Sequence, residues 1–348
     1  SDIPANVLIL LDKSGSMSSR MTSGTGFLYP TSVAVDANGD VYAAQYQGFG
    51  VKKLTYATGA LDSTFGSSGT YIGSRNCRVY YVYGMQIHNG YLYVASYYTA
   101  RVFRINLTTG VCDWNHYVPY PRHLSIKNNI MNVFGYYNGR GLTRNLSTNT
   151  NISCNYYYHH SIRSTTGGNL DASGNNFYVH YYRNLYRFTR DSNGCVNLSS
   201  PSSRIYNSQW YRGFGIAAHP TDDSILYATN YNLNKLYKIT LNAAKTSASY
   251  SSVGRFCRGT ATVANVCMEA PAHVAIDSNN NRVFVANYRK SSVQAFDLNL
   301  GFLKEFGGLL GTRMSGAHEA IKAIVTDSSL TAGVNFGFGY WSWSGRGF

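Results

Sequence analysis

The sequence contains few charged residues, and acidic residues are the scarcest. Charged residues make up 13% of the 348 positions, with 16 Asp and Glu against 30 Lys and Arg. No apolar run reaches about 18 residues, so no membrane span is predicted. The cysteines show no Cys-x-x-Cys spacing, and no Gly-x-Ser-x-Gly nucleophile elbow occurs. Common motifs of zinc sites, haem attachment and serine hydrolases are therefore missing.

Tyrosine is abundant instead, with 31 residues. Half-buried strands accommodate tyrosine well because the ring packs while the hydroxyl stays in water. The six cysteines indicate disulfides in an exported protein, and Ser1 is expected to follow a cleaved signal peptide. Six cysteines allow fifteen connectivities, of which we favour Cys77–Cys112, Cys154–Cys195 and Cys257–Cys267.

A candidate metal loop follows the apolar run Val7–Leu11. Asp12, Ser14 and Ser16 place one carboxylate and two hydroxyls within five residues, a donor set that suits Mg²⁺ or Ca²⁺. A strand followed by a Ser/Gly turn is the alternative. The Asp-x-Ser-Gly-Ser string resembles the metal-ion-dependent adhesion site of von Willebrand factor A domains. That resemblance implies that Asp12, Ser14 and Ser16 are the first three metal-contacting residues.

The rest of such a domain is interrupted. Residues 311–325 carry an apolar stripe at helical spacing, and residues 334–340 alternate as in a strand. We therefore predict three parts: residues 1–24 with the first strand and metal loop, an insert over 25–310, and residues 311–348 with the first helix and second strand. Because the domain is incomplete here, the chain is expected to be part of a longer protein.

The insert repeats a core of the form Val/Leu/Phe-Tyr-Val/Ala-x-x-Tyr six times, at a period of roughly 45 residues. The cores close at Tyr46, Tyr97, Tyr136, Tyr182, Tyr231 and Tyr288. The units resemble NHL propeller repeats, with Pro30–Asp36 and Pro271–Asp277 as the best matches. The predicted fold is mainly β: a six-bladed NHL-like β-propeller inserted into a partial α/β von Willebrand factor A domain. A pair of β-sandwiches is the alternative.

The six closing tyrosines are candidate ligand-binding residues. In superposed blades they form a ring near the loops between second and third strands, where aromatic rings stack on sugars or bases. Arg140, Arg183 and Arg289 lie close by in sequence and suit anionic groups. The alternative is that these rings only pack between the blades.

Segments at both ends of the chain resemble a more specific family than von Willebrand factor A domains in general. The segments Pro4–Met17, Ala320–Val325 and Gly333–Gly337 resemble type IV pilus tip adhesins of the PilY/PilC family. The resemblance implies a secreted protein at the pilus tip on the cell surface, with minor pilins or other tip components as partners. It also implies that the propeller meets a host or abiotic surface, glycans included, and that Mg²⁺ or Ca²⁺ occupies the loop. No specific nucleic-acid partner is expected.

The sequence thus predicts an adhesin rather than an enzyme, because acids are few and the nine histidines are scattered. Two alternatives stay open. One is a structural subunit of an extracellular filament or matrix. The other is an extracellular propeller enzyme, a lyase or hydrolase.

Overall fold

The structure is a computed structural model, and it is almost entirely strands and turns. It describes residues 5–12, 20–22, 27–46, 50–73, 77–136, 141–154, 167–208, 210, 213–257, 261–307, 309–312, 321 and 334–341. Within those residues only Ile321 is α-helical. The chain divides into two compact units, Thr25–Gly308 and the pair of segments Ser1–Gly24 and Leu309–Phe348.

The larger unit is a six-bladed β-propeller. Two strands precede it, β1 (Ala5–Asp12) and β2 (Arg20–Thr22). Blade 1 holds β3 (Pro30–Val35), β4 (Val41–Gln45), β5 (Gly50–Leu54) and β6 (Thr70–Tyr71), and blade 2 holds β7 (Val82–His88), β8 (Tyr91–Ser96), β9 (Arg101–Asn106) and β10 (Cys112–Tyr117). Blade 3 holds β11 (Pro121–Lys127), β12 (Ile130–Gly135), β13 (Gly141–Asn145) and β14 (Thr150–Ile152).

Blades 4 to 6 follow, with a short two-stranded sheet ahead of blade 6 and two strands after it. Blade 4 holds β15 (Gly168–Leu170), β16 (Asn176–Tyr181), β17 (Asn184–Thr189) and β18 (Ser203–Tyr206), and blade 5 holds β19 (Gly213–Ala218), β20 (Ile225–Asn230), β21 (Lys235–Leu241) and β22 (Ala248–Val253). The short sheet is β23 (Arg255–Phe256) with β24 (Cys267–Met268), and blade 6 holds β25 (Pro271–Asp277), β26 (Arg282–Asn287), β27 (Ser292–Asp297) and β28 (Phe302–Gly307). The last two strands are β29 (Leu309–Thr312) and β30 (Val334–Trp341).

Each blade is an antiparallel sheet of four consecutive strands. The second strand of each blade is buried along nearly its whole length, as in β4. Its side chains alternate between the two faces of the blade, so Tyr42 and Ala44 pack toward blade 2 while Val41 and Ala43 pack toward blade 6. This two-sided burial explains why the sequence repeat is a continuous apolar and tyrosine-rich run rather than an alternating one.

Six hydrophobic clusters hold the blades together, one between each pair of neighbours around the ring. The cluster between blades 6 and 1 closes the circle with Phe284, Val293 and Val33 among its buried members. Lys304 of blade 6 adds hydrogen bonds to the carbonyls of Tyr56 and Ala57 at 2.7 and 2.8 Å. Packing between complete blades therefore closes the ring.

Polar side chains also join the first strands of neighbouring blades. Such a strand is the edge of its sheet, so its backbone groups need partners from outside the blade. These hydrogen bonds link Gln86 to Ile126, Ser125 to Leu170, Asn169 to Ile216 and His273 to Val33.

Three disulfides add covalent links: Cys77–Cys112 from the connection before β7 to β10 of blade 2, Cys154–Cys195 between blades 3 and 4, and Cys257–Cys267 from the end of β23 to β24. These are the pairs that the sequence favoured. The described part of the chain has no helix long and apolar enough to cross a membrane.

The smaller unit contains two strand pairs. β1 runs parallel to β30, with Asp12 opposite Trp341, and β2 runs antiparallel to β29, with Arg20 opposite Thr312. The predicted helix start at residue 311 is wrong, because the backbones of Gly311 and Thr312 pair with β2 instead. Apart from the helical Ile321, the rest of the predicted helix lies outside the described residues.

Candidate functional site

The first strand of each blade lines the central axis, which gives the propeller two distinct ends. The end at which these strands begin carries Tyr29, Tyr81 and Tyr120, and we call it the tyrosine face. The end at which they finish carries Asp36 and Asp171, and we call it the carboxylate face. The closing tyrosines belong to the tyrosine face, because each follows the second strand of its blade.

A repeated backbone hydrogen bond fixes the closing tyrosines. In four blades the closing tyrosine donates its N–H to the carbonyl of the residue that immediately precedes the first strand. The pairs are Tyr46 to Tyr29 at 3.0 Å, Tyr97 to Tyr81 at 3.0 Å, Tyr136 to Tyr120 at 2.9 Å and Tyr288 to Ala270 at 3.1 Å. The bond brings a second residue beside each closing tyrosine.

Those second residues have unusual backbone conformations. Tyr29, Tyr81, Tyr120 and Ala270 have φ of 52°, 60°, 47° and 54°. Left-handed backbone is uncommon for residues other than glycine and asparagine, and it is strained for bulky side chains. Three blades therefore hold a tyrosine where the backbone favours a small residue.

The tyrosine rings form a continuous series of contacts across five blades. Tyr231 of blade 5 contacts Tyr288 of blade 6, whose ring lies 6.1 Å from that of Tyr46 in blade 1. The Tyr46 ring meets Tyr81 of blade 2 edge-on, with centroids 4.6 Å apart. In the same blade Tyr81 contacts Tyr97, and Tyr97 lies 5.1 Å from Tyr120 of blade 3. We call these rings, with Tyr29, Tyr83, Tyr98 and Tyr136, the tyrosine cluster.

Arg122 extends the cluster toward the axis. Its guanidinium carbon lies 4.0 Å from the ring centroid of Tyr136 and 5.0 Å from that of Tyr83. Cation–π contacts of this kind orient a guanidinium group against aromatic faces. On the opposite side of the cluster, the exposed Arg289 lies 5.8 Å from the ring centroid of Tyr231. The cluster therefore has an arginine at each end.

The phenols of the cluster influence one another electrostatically. Burial, together with the neighbouring phenols of Tyr81, Tyr231, Tyr46 and Tyr29, raises the pKa of Tyr288 to about 12. Tyr81 and Tyr231 belong to blades on opposite sides of the ring, and both phenols act on Tyr288. At physiological pH the Tyr288 phenol is neutral and offers a donor and an acceptor.

Tyr182, the closing tyrosine of blade 4, is placed differently. Its side chain is 46% exposed, and its ring contacts Tyr181 of the same blade at 4.5 Å. Arg183 is also exposed, and its Nη1 lies 3.4 Å from the hydroxyl of Tyr206. Arg140 lies outside the described residues. The structure thus brings five of the six predicted tyrosines into one cluster.

A central cavity of about 710 Å³ runs along the axis and is lined by the first strands of all six blades. Its wall includes His88, His219 and His273. Burial lowers the pKa values of His219 and His273, in the second case to about 4, so both imidazoles are neutral at physiological pH. The Nδ1 of His219 accepts the N–H groups of Thr221 and Asp222, which assigns the ring proton to Nε2.

The candidate metal loop is only partly described. Asp12 is the last residue of β1, while Ser14 and Ser16 lie outside the described residues. Elsewhere in the described ranges, no group of three or more His, Cys, Asp or Glu side chains is arranged to hold a metal ion.

Comparisons with known proteins show the fold of the propeller. No protein family model and no curated protein matches the chain. Among solved structures, hydrazine synthase from Kuenenia stuttgartiensis matches with a TM-score of 0.54 and 9% identity, over 81% of this chain and 98% of that one. A protein from Lactobacillus plantarum matches with a TM-score of 0.51 and 12% identity, over 81% and 88% of the two chains.

A third match is a catalytically inactive histidine-to-alanine variant of virginiamycin B lyase from Staphylococcus aureus, with quinupristin. Its TM-score is 0.50 at 12% identity, over 83% of this chain and 87% of that one. Propellers of this shape thus include enzymes. The prediction from the sequence that this protein is not an enzyme is therefore wrong, because the fold does not exclude enzymatic activity. Scattered histidines and scarce acids in the sequence were a poor guide, because the propeller brings residues from six blades to one axis.

Sequence reasoning missed part of the tyrosine cluster. Tyr29, Tyr81, Tyr120 and Arg122 were not singled out, although each stands at the start of a first strand. A signal was present: Tyr29-Pro30, Tyr120-Pro121 and Ala270-Pro271 mark the same position in three blades. The left-handed backbone at these sites is not readable from residue types, since a residue before proline is normally extended.

Proposed function

We propose that this protein is an exported surface protein whose propeller is a ligand-binding head, and that the ligand binds at the tyrosine face. The disulfides are consistent with an extracellular location. Tyrosine rings bind ligands well because they offer a large rigid surface and a polar hydroxyl at little cost in conformational entropy.

The single observation that carries this proposal is the continuity of the tyrosine cluster across five blades. Packing between neighbouring blades is already provided by the six hydrophobic clusters, which lie between the sheets. The tyrosine cluster lies at one end of the propeller, and it includes exposed rings such as Tyr98, at 56%, and Tyr120, at 40%. A large aromatic surface of this kind marks a binding site.

A glycan and matrix-protein array tests the proposal directly. The purified chain is applied at low salt and at about 150 mM salt, where surface charges are screened beyond about 8 Å. We expect a discrete signal that survives the higher salt and falls at least about tenfold in Tyr98→Ala and Tyr120→Ala, which corresponds to about 1.4 kcal/mol. Tyr117→Ala is the matched control, because Tyr117 is 55% exposed but lies on the outermost strand of blade 2. Equal loss in all three variants, or no signal, contradicts the proposal.

An extracellular propeller enzyme is the second candidate, and the central cavity is the observation that favours it. Its volume suits a small ligand, and polar groups from several blades converge on it. A lyase or hydrolase acting there predicts that bound compounds are cleaved and that His219→Ala or His88→Ala stops turnover. The experiment is chromatography of each bound compound after incubation. If each bound compound remains intact after incubation with the wild-type protein, the result counts against the enzyme candidate.

The finer assignment, a pilus tip adhesin with a cation held by Asp12, Ser14 and Ser16, is also part of the proposal. Its support is the resemblance at both ends of the chain and the parallel pairing of β1 with β30, which places Asp12 at the carboxyl end of a strand. Ligands of open α/β sheets bind at such strand ends. The pairing of β2 with β29 is consistent with an inserted domain, since it holds the flanking segments side by side.

A further inference from the structure

We propose that the tyrosine face binds an acidic polysaccharide, with its sugar rings against Tyr29, Tyr81 and Tyr120 and its anionic groups at Arg122 and Arg289. This inference rests on the proposed function, since it names the ligand class for the same face.

Backbone strain is the first argument. Tyr29, Tyr81 and Tyr120 have left-handed backbones, whereas Ala270 occupies the equivalent place in blade 6 with φ of 54° and the same hydrogen bond from its closing tyrosine. The repeated bond therefore needs no aromatic side chain. Of the other twelve described non-glycine residues with left-handed backbones, six are asparagine, for example Asn89 and Asn281. A strained conformation that persists with an unfavourable side chain points to a role for that side chain in binding.

Charge distribution is the second argument. Most described acidic residues follow first or third strands and so lie at the carboxylate face, as Asp36, Asp171 and Asp191 do. At the other end Glu305 is buried and paired with Lys290, with Nζ and Oε1 2.6 Å apart. The tyrosine face retains Glu269 and the arginines Arg78, Arg122, Arg183 and Arg289. Its charge is therefore positive, which favours an anionic ligand.

The chemistry of the arginines is the third argument. Arg122 contacts the rings of Tyr136 and Tyr83, and Arg289 lies near the ring of Tyr231. Arginine combines stacking on aromatic rings with bidentate hydrogen bonding to carboxylate or sulfate groups. The two arginines stand at opposite ends of the cluster, with neutral phenols such as Tyr288 between them. A polymer that alternates ring faces, hydroxyls and anionic groups matches this arrangement.

The extent of the cluster favours a chain over a single sugar. Ring contacts run from blade 5 through blades 6, 1 and 2 to blade 3. Single-stranded nucleic acid also combines rings with anions, but the disulfides indicate an extracellular setting in which acidic polysaccharides are the abundant polyanions. Nucleic acid is therefore an outcome of the test rather than the proposal.

The test compares polygalacturonate with its fully methyl-esterified form, which has the same sugar rings without the charge. Binding to the whole purified chain is measured by calorimetry at about 150 mM salt. We expect the acidic form to bind at least tenfold more tightly than the ester. Arg122→Gln should remove most of that preference, and Arg122→Lys should restore part of it. Tyr81→Ala should weaken both forms at least tenfold. Arg104→Gln is the matched control, since Arg104 lies 4.5 Å from the Tyr91 ring but pairs with Asp113.

The outcomes separate this inference from the proposed function. Equal binding of both forms, lost in Tyr81→Ala, overturns the acidic preference and leaves the tyrosine face as a glycan site. Binding of neither form, while other probes bind and depend on Tyr81, overturns the polysaccharide but not the face. An oligothymidylate of equal charge that competes as well as polygalacturonate overturns the inference in favour of a general polyanion site. If no probe binds at the tyrosine face, both the acidic-polysaccharide inference and the proposed function are overturned.

Discussion

The Nδ1 atom of His273 in blade 6 accepts a hydrogen bond from the backbone N–H of Val33 in blade 1, at 3.3 Å. This bond spans the closure of the ring, where the last blade of the chain meets the first. It satisfies an edge-strand amide that no strand of its own blade reaches. The same bond makes the closure sensitive to protonation, because a doubly protonated imidazole cannot accept it.

Acid is therefore expected to weaken the propeller. Burial lowers the pKa of His273 from 6.5 to about 4, so the unfolded chain binds a proton that the folded chain excludes. The contribution to stability is complete above pH 6.5, falls as the pH drops toward 4, and is constant below that value. A loss on the order of 3 kcal/mol is expected from this group.

Urea unfolding at a series of pH values checks this prediction. His273→Asn keeps an acceptor near Val33 but removes the titration, so its unfolding free energy should depend less on pH. Some dependence should remain, since burial also lowers the pKa of His180, to about 3. Identical pH profiles for the wild type and His273→Asn would show that the ring closure does not titrate.

Stability and binding are expected to respond oppositely at Tyr120. The residue has φ of 47° and is 40% exposed, so Tyr120→Asn should relieve strain without leaving a cavity. The free energy of unfolding should stay the same or rise by up to about 1 kcal/mol, while glycan affinity falls. Tyr120→Val is the contrasting variant, because a β-branched residue is a poor fit to left-handed backbone and should destabilise the fold. A clear loss of stability in Tyr120→Asn contradicts the strain argument.

A buried ion pair joins blades 4 and 5. Asp171 is fully buried at its side chain, and its Oδ2 lies 3.0 Å from Nζ of Lys245. Burial opposes ionisation, but hydrogen bonds from Asn176 and Lys245 prevail and lower the pKa of Asp171. Lys245→Met removes the cation from a buried carboxylate and should cost about 3 kcal/mol in unfolding free energy.

The exposed pair Arg104–Asp113 is the control for that measurement. Its side chains are 22% and 36% exposed, so Asp113→Asn should cost less than about 1 kcal/mol. Denaturant midpoints of the two variants give the comparison. Equal small losses in both would mean that water reaches Asp171 in solution.

Cation binding is expected to depend on Asp12. Adding Mg²⁺ or Ca²⁺ to chelator-treated protein should raise the melting temperature of the smaller unit, because an ion that binds only the folded state stabilises it. Asp12→Ala should abolish that rise and leave the propeller transition unchanged. Calorimetric scans with and without the cation check both points. A cation-dependent rise that persists in Asp12→Ala would remove the metal assignment.

The propeller was predictable because each blade repeats the same buried second strand. The run Val41–Gln45 and its five equivalents are apolar on both faces, and both faces pack against neighbouring blades. Sequence also led to the closing tyrosines, since each ends such a run. These features depend on residue type and spacing, which a single sequence displays.

Other parts of the candidate site depend on geometry that a sequence does not display. Tyr81 joins the tyrosine cluster through its left-handed backbone, and Arg122 does so by reaching rings from two blades. The cavity histidines stand on different first strands or beside them, far apart in sequence. The helical spacing of apolar residues predicted a helix from Gly311, but Gly311 pairs with Met21 in a strand instead. Tertiary contacts decide all of these positions.

Hydrogen–deuterium exchange on the whole chain, with and without a bound acidic polysaccharide, tests the central claim most directly. The account predicts slower exchange on binding at the tyrosine face, in peptides covering 80–83, 97–98, 120–122 and 288–289. It predicts no change at the turns of the carboxylate face around Asp36, Asp171 and Asp277. Protection confined to those turns or to the first strands along the cavity would contradict it and favour the central cavity as the site.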